Sequence, residues 1–315
     1  MSGKRLLRSV LAFGVVGVVA YFFATTLIAN WERVAKYPIV VDLSTVSATV
    51  IFALAVVVSG VLWARVLHAL GERHIDHWSA TEAHLGSWLV RYIPSVAQPL
   101  YKVNWASGRG VRRATAFLAF LYEFAFVQLA SILGSLVVLL LARASMLAND
   151  QVVMLSLVLI VTGVAGIGAL RYAVNPVAAR LAKARKIEDF GALPAIGWGT
   201  AGSLVGLFTL PRIVNGIGVV LLTASLLPGT STVDAIAIAA AYTIAGAIGV
   251  LWVFVPSGLG VREATFVAIL ASLGFNVVDA IALSVVARLC STIADLVVAG
   301  IFAVMKFRTA HTTRT

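Results

Sequence analysis

The stretch VPSGLGVREA, Val255–Ala264, interrupts a long apolar part of the chain with a Pro-Ser-Gly-Leu-Gly turn. Lipid offers the backbone no hydrogen-bond partners, so a helix broken at membrane depth is tolerated only where protein or a cavity surrounds the break. Gly258 and Gly260 permit positive φ and close backbone approach, and a helix that begins after Gly260 directs free N–H groups into the turn. We therefore predict a break at Pro256 and an anion-binding site at these glycines.

Two charged residues, Arg262 and Glu263, follow this turn directly. The alternative interpretation is an ordinary interfacial loop with Arg262 extending to water, because charged side chains near helix ends often do so. The apolar runs on both sides of the turn favour the buried site over the interfacial loop.

The composition is that of a polytopic membrane protein. Of the 315 residues, 61% are hydrophobic and 12% are charged, which is too little charge for the surface of a soluble domain. The net charge of +11 does not indicate nucleic-acid binding, since the basic residues punctuate apolar spans instead of alternating with aromatics on a polar face. Cys290 is the single cysteine, so a disulfide framework is excluded.

Six apolar runs are long enough to cross a hydrocarbon core of ~30 Å at ~1.5 Å per residue. The first follows the basic segment KRLLR, and we expect it to be a retained span and not a cleaved signal peptide. Two further stretches are interrupted by proline near an arginine, and we predict that each is a re-entrant hairpin. The six runs are Leu6–Asn30, Leu43–Leu70, Ala114–Leu141, Val152–Tyr172, Pro194–Leu227 and Val277–Met305, and the hairpins are His84–Val103 and Val233–Leu273.

The distribution of basic residues predicts the orientation. With both termini in the cytoplasm, the outer segments hold only Arg33, Lys36 and Arg143, whereas most other Lys and Arg residues, Lys102 among them, fall on the inner side. The two hairpins then enter from opposite faces. The predicted fold is therefore all-α: one membrane domain, 1–315, whose halves 1–141 and 152–305 form an inverted repeat of the kind that many transporters use.

Several charged residues fall within the predicted spans and hairpins. A charge at the centre of a bilayer costs at least ~2.5 kcal/mol, so each marks a binding site or a structural ion pair, and both interpretations stay open for Glu123 and Asp295. Arginines outnumber acids in this set, which favours an anionic ligand, and the planar guanidinium suits phosphate because it donates two parallel hydrogen bonds. The set comprises Arg91, beside the break at Pro94, with Glu123, Arg212, Arg262, Glu263, Arg288 and Asp295.

The histidines give no metal signature. His74, His77 and His84 lie near Glu72, Asp76 and Glu82, but their spacing fits no closed zinc pattern. Neither a nucleotide-binding loop nor a catalytic triad pattern emerges, and we expect no metal and no cofactor.

One short echo links the two halves. GRGVRRAT, Gly108–Thr115, and GLGVREAT, Gly258–Thr265, agree at six of eight positions with an offset of 150 residues. Duplication and chance are both open explanations at this point.

The hairpin motifs carry a resemblance to a known family. RYIPS (Arg91–Ser95), GRGVRRA after it, Glu123 in the next span and PSGLGVREA late in the chain together resemble the flippase-like integral membrane family that includes the transmembrane region of lysylphosphatidylglycerol synthase/flippase. The chain departs from that pattern at Ser95 and Ser257, where glycine is expected, and at Phe124, where a basic residue often follows the glutamate.

This resemblance implies a helical protein with re-entrant segments that moves lipids or lipid-linked head groups between leaflets. It implies functional roles for Arg91, Glu123, Arg262 and Glu263. The soluble aminoacyl-transferase domain of the synthase has no counterpart in this sequence, so lipid aminoacylation is not expected.

We therefore expect a flippase of the cell membrane and not an enzyme. Its cargo would be an anionic phosphate lipid or a polyprenyl-phosphate-linked sugar, held by Arg91, Arg262, Arg212, Arg288 and the two glycines of the turn. Glu123, Glu263 and Asp295 would be gating or charge partners. The alternatives are a membrane-embedded transferase that uses a lipid-phosphate donor and an accessory scaffold that binds anionic lipid without transport.

Overall fold

The computed structural model describes residues 41–90, 97–143, 149–184, 194–251, 258 and 260–312. These residues form helices joined by short turns, and no strand occurs among them. A π-helical turn, Ala169–Ala173, joins α5 to α6. The helices are α1 Leu43–Ala69, α2 His77–Leu89, α3 Ala97–Ser107, α4 Arg113–Arg143, α5 Asn149–Gly168, α6 Val174–Ala184, α7 Trp198–Leu226, α8 Thr232–Leu251, α9 Val261–Ser272 and α10 Val277–Thr312.

Within the described residues, five helices are long and apolar enough to cross a membrane, namely α1, α4, α7, α8 and α10, which indicates a multi-pass membrane protein. Four of them correspond to predicted spans. The fifth, α8, is the first limb of the second predicted hairpin, and its 20 residues extend ~30 Å. The predicted span Val152–Tyr172 falls on α5 and the π-helical turn and is not among the five, and the predicted span Leu6–Asn30 lies outside the described residues.

Four of the described helices are much shorter, namely α2, α3, α6 and α9. α2, α3 and α9 have 13, 11 and 12 residues, so each extends only ~17–20 Å and cannot cross the hydrocarbon core alone. The predicted proline breaks Pro94, before α3, and Pro256, before α9, lie outside the described residues.

The long helices α1 and α7 pack against each other in antiparallel orientation. Asp42 caps the N-terminus of α1 by accepting a 2.8 Å hydrogen bond from the Thr45 backbone N–H. Its second carboxylate oxygen accepts a 2.7 Å hydrogen bond from Ser225 near the C-terminus of α7. Further along the pair, Gly218 lies directly against the ring of Phe52. The start of α1 therefore lies at the end of α7.

The helices that contact α1 in one half of the chain correspond one to one with the helices that contact α7 in the other half. α1 packs on α2, α4 and α10, and α7 packs on α8, α10 and α4. α2 packs on α3 and α10, whereas α8 packs on α9 and α4, and the pairs α3–α4 and α9–α10 complete the set. If α1, α2, α3 and α4 are matched in order with α7, α8, α9 and α10, each of these contacts has an equivalent in the other half of the chain. The helices α5 and α6 pack against α4 and are not part of this matching.

The structure also shows where the two copies of the sequence echo lie in the order of the helices. Gly110 and Gly260 both have positive φ, of 84° and 81°. Gly110, however, belongs to the turn between α3 and α4, whereas Gly260 immediately precedes α9. The glycine between α9 and α10 is Gly274, with φ of 83°. The two copies of the echo therefore stand at different places in the helix order.

Candidate functional site

The side chain of Arg262 lies along one face of α8. Its guanidinium carbon is 4.1 Å from the centre of the Tyr242 ring, close enough for a cation–π interaction. Gly246 and Gly249 continue this face at helical spacing, and a Cβ at Gly249 would lie only 3.0 Å from the Cβ of Arg262. The two glycines thus form a track that lets the arginine approach α8.

The glycine turn before α9 is held against the same track. Gly258 has φ of 65°, and a Cβ there would lie 3.0 Å from the backbone carbon and oxygen of Gly249. A side chain at Gly258 is therefore excluded by both conformation and space. Gly260 also has positive φ and begins α9. The positive φ predicted for both glycines is confirmed, and Gly258 also makes the predicted close backbone approach.

The carboxylate of Glu263 occupies the start of α9. Its Oε2 accepts a 2.7 Å hydrogen bond from the backbone N–H of Gly260, and its Oε1 lies 3.6 Å from Nη1 of Arg288 on α10. Glu263 is buried and Arg288 is 18% exposed. The carboxylate of Glu263 thus places a negative charge at the start of α9, where the helix dipole favours one.

A narrow cleft opens at this point between α8, α9 and α10. It is lined by Tyr242, Arg262, Glu263, Phe266, Ser284 and Arg288. The two arginines outnumber the one glutamate, and the aromatic residues supply apolar walls. The cleft therefore has a positive charge excess in an apolar surround, where electrostatic attraction is stronger than in water.

The predicted site residue Arg212 lies on α7, next to the helix-interior Pro211. Its Nε is buried and has no hydrogen-bond partner among the described residues. Of the predicted arginines, Arg262 and Arg288 both line the cleft, with Glu263 as the acidic residue beside Arg288.

The other two predicted acids have different partners. Asp295 is buried and accepts a 2.9 Å hydrogen bond from the indole N–H of Trp88 on α2. Glu123 on α4 forms an ion pair with Lys102 on α3. The hypothesis that structural pairing retains these acids is thus supported for Glu123, whereas Asp295 joins α10 to α2.

Glu123 belongs to a second buried cluster. Its Oε1 lies 3.1 Å from Nδ1 of His84, and that same nitrogen is 3.0 Å from Nζ of Lys102. Nζ also lies 4.6 Å from the centre of the Trp63 ring. Lys102 is completely buried, so it is not a surface charge of the kind that the positive-inside pattern counts, and the sequence alone could not show this.

Sequence reasoning missed the role of Lys102 and the cation–π partner Tyr242. An available signal was that Lys102 lies within the predicted hairpin His84–Val103 and opposite a span that carries Glu123. The predicted site residue Arg91 lies outside the described residues.

No protein-family model, curated protein or solved structure matches the chain. The geometry of the cleft and the architecture around it therefore carry the functional argument.

Proposed function

We propose that the protein is a lipid translocase that binds the phosphate of an anionic lipid at the cleft of Arg262 and Arg288. The observation that carries the proposal is that two arginines and a single acid line the cleft. Buried cations need an anionic partner, and an arginine fork suits phosphate oxygens. The acyl or polyprenyl tails would remain in the bilayer beside the apolar wall.

Glu263 gives this site an exchange mechanism. Its carboxylate holds the Gly260 N–H and faces Arg288, so it occupies the position that an incoming phosphate would take. Phosphate binding would displace Glu263 from Arg288 and free the start of α9, whose N–H groups and dipole favour an anion. Release of the lipid would restore the internal pair, so the cleft need not stand empty and unpaired between cycles.

The architecture supports transport. The antiparallel α1–α7 pair and the exchange-matched helix pairings are the arrangement expected of an inverted repeat. In our proposal the repeat consists of halves 1–141 and 152–305, and α2 with α3 forms the first re-entrant hairpin. The second hairpin has one long limb, α8, and one short limb, α9. The resemblance to flippase-like membrane proteins agrees with this scheme.

The proposed orientation places both termini in the cytoplasm and the protein in the cell membrane, as the basic residues predict. Single cysteines introduced on a Cys290→Ala background test it with a membrane-impermeant maleimide. Residues in the turns that precede α2 and α8 should label from opposite sides. Labelling of both turns from one side would refute the inverted arrangement.

Reconstitution tests the function against its alternatives. Purified protein in liposomes should move fluorescent phosphatidylglycerol between leaflets without any change in the lipid's mass. Dithionite quenching measures the movement, and mass spectrometry measures the mass. A stoichiometric new lipid product would instead support the transferase, and tight binding without movement would support the scaffold. Lipids that co-purify with the protein would identify the natural head group.

A further inference from the structure

The hydroxyl group of Tyr242 is buried and has no hydrogen-bond partner among the described residues. Tyr242 lies midway along α8 and is only 4% exposed, so its hydroxyl is also cut off from bulk water. A buried hydroxyl without a partner loses its hydrogen bonds to water on folding and gains none in return, which costs stability. Buried polar side chains in folded proteins mostly avoid this cost. Folding therefore gives no reason for the hydroxyl at this position.

The aromatic ring of Tyr242, in contrast, has neighbours on several sides. It stacks on Phe52 of α1, with ring centres 6.3 Å apart, and meets Phe266 of α9 edge to face at 5.5 Å. The guanidinium carbon of Arg262 lies 4.1 Å from the ring centre. A phenylalanine would make all of these contacts, since each of them uses the ring and not the hydroxyl. The packing thus explains an aromatic residue at position 242 and leaves the choice of tyrosine to another cause.

The cleft that we propose as the phosphate site supplies such a cause, because Tyr242 belongs to its lining. Arg262, whose guanidinium covers the ring, has no ion-pair partner among the described residues. An unpaired cation and an unpaired hydroxyl therefore lie on one side chain contact. An oxyanion satisfies both groups at once, since it offsets the guanidinium charge and accepts a hydrogen bond from the hydroxyl.

We propose that the Tyr242 hydroxyl donates a hydrogen bond to the phosphate of the bound lipid, which makes Tyr242 a further binding residue of the cleft. The inference rests on the proposed function and deepens it. The ligand class is a phosphodiester, whose two non-bridging oxygens share one negative charge. One of these oxygens accepts hydrogen bonds from Arg262, and the other accepts the hydrogen bond from Tyr242. Lipid binding thus supplies the partner that the hydroxyl lacks in the free protein.

This assignment predicts that stability and affinity change in opposite directions when the hydroxyl is deleted. Tyr242→Phe keeps the ring and its cation–π contact with Arg262 and removes only the buried unpaired group. The lipid-free variant should therefore unfold at the same temperature as wild type or at a higher one. Its affinity for a phosphodiester lipid should fall about tenfold or more, the effect expected for a hydrogen bond to a charged group. A tyrosine that serves structure alone would show the reverse pattern.

Calorimetry on the full chain in detergent measures the affinity, and thermal unfolding without lipid measures the stability. The first probe is dihexanoyl phosphatidylglycerol. The second is dihexanoyl phosphatidylmethanol, which has the same phosphodiester charge but no hydroxyl groups on its head group. Tyr242→Phe should weaken the binding of both lipids by the same factor, because the proposed hydrogen bond goes to the phosphate.

Tyr122→Phe is the matched control. Tyr122 is also buried, but its hydroxyl donates a 3.2 Å hydrogen bond to the side-chain oxygen of Asn175, which joins α4 to α6. It does not belong to the lining of the cleft. Deletion of this paired hydroxyl should lower the unfolding temperature and leave the affinity for both lipids unchanged.

Three outcomes overturn the inference and leave the proposed function standing. The first is wild-type affinity in Tyr242→Phe. The second is a lower unfolding temperature or failure to fold in that variant, which would show that the hydroxyl stabilises the protein. The third is a loss of affinity confined to phosphatidylglycerol, which would place the hydroxyl on the glycerol head group and not on the phosphate. Wild-type protein that binds neither lipid refutes the proposed function as well.

Discussion

The close contact of Arg262 with α8 predicts opposite effects on stability for alanine substitutions at two neighbouring glycines, Gly249 and Gly246. Gly249→Ala would place a methyl 3.0 Å from the Cβ of Arg262, whereas carbon atoms pack best at ~3.5–4.0 Å, so α9 must move away by about half an ångström or more. Overpacking of this kind costs ~1–3 kcal/mol. It outweighs the ~0.5–1 kcal/mol that alanine gains over glycine in a helix.

Gly246→Ala is the matched control, because its added methyl would lie 3.9 Å from Nε of Arg262, an ordinary contact. The higher helix propensity of alanine is then the remaining effect on stability, so Gly246→Ala should be as stable as wild type or up to ~1 kcal/mol more stable. Thermal unfolding in one detergent ranks the three proteins, and titration with phosphatidylglycerol compares their affinities. Gly249→Ala should unfold earliest and bind most weakly. Equal stability and affinity of the two variants would refute the glycine-track argument.

Three further outcomes follow from other contacts. Gly218→Ala should destabilise the protein by ~1–3 kcal/mol, measured by denaturant titration, since the new methyl would lie 2.6 Å from the ring of Phe52; an unchanged midpoint would show that α1 and α7 do not pack as described. The hydrogen bonds from the Thr45 backbone and from Ser225 lower the pKa of Asp42, so its stabilising effect over Asp42→Asn should be full above about pH 5 and be lost as pH falls through that lowered pKa. A constant difference across that range would contradict this assignment. Glu263→Gln should keep or tighten lipid binding while slowing transport, because the amide competes less for Arg288; weaker binding measured by calorimetry would mean that Glu263 builds the site instead of gating it.

Much of the fold follows from apolar run length and glycine chemistry. Four predicted spans coincide with long helices to within a few residues, because hydrocarbon thickness sets a minimum length. The C-terminal end of α10 differs by more. These spans are Leu43–Leu70, Ala114–Leu141, Pro194–Leu227 and Val277–Met305. The hairpins are harder to predict from the sequence than the spans. A break identifies where a helix stops but not how far each limb extends, which is why α8 is long enough to span while α9 is not.

The candidate site was predictable in part. Arg262, Glu263 and Arg288 line one cleft, in agreement with the rule that charges in apolar runs are retained beside charged partners. The sequence did not predict which charged residues pair with each other. Whether Glu123 faces an arginine or Lys102 depends on helix rotation and on the approach of α3 to α4, and neither leaves a local signature.

The most direct test of the central claim measures lipid binding and transport by Arg262→Ala, with Arg262→Lys beside it. Both variants must first be shown to insert and fold, since removing one member of a buried charge pair can destabilise by several kcal/mol. Loss of a charged hydrogen bond costs ~1.5–3 kcal/mol, so Arg262→Ala should bind phosphatidylglycerol roughly ten- to a hundredfold more weakly and transport it correspondingly slowly. Arg262→Lys should recover part of the affinity, because it keeps the charge and loses the fork. Wild-type affinity and transport rate in folded Arg262→Ala would contradict the account.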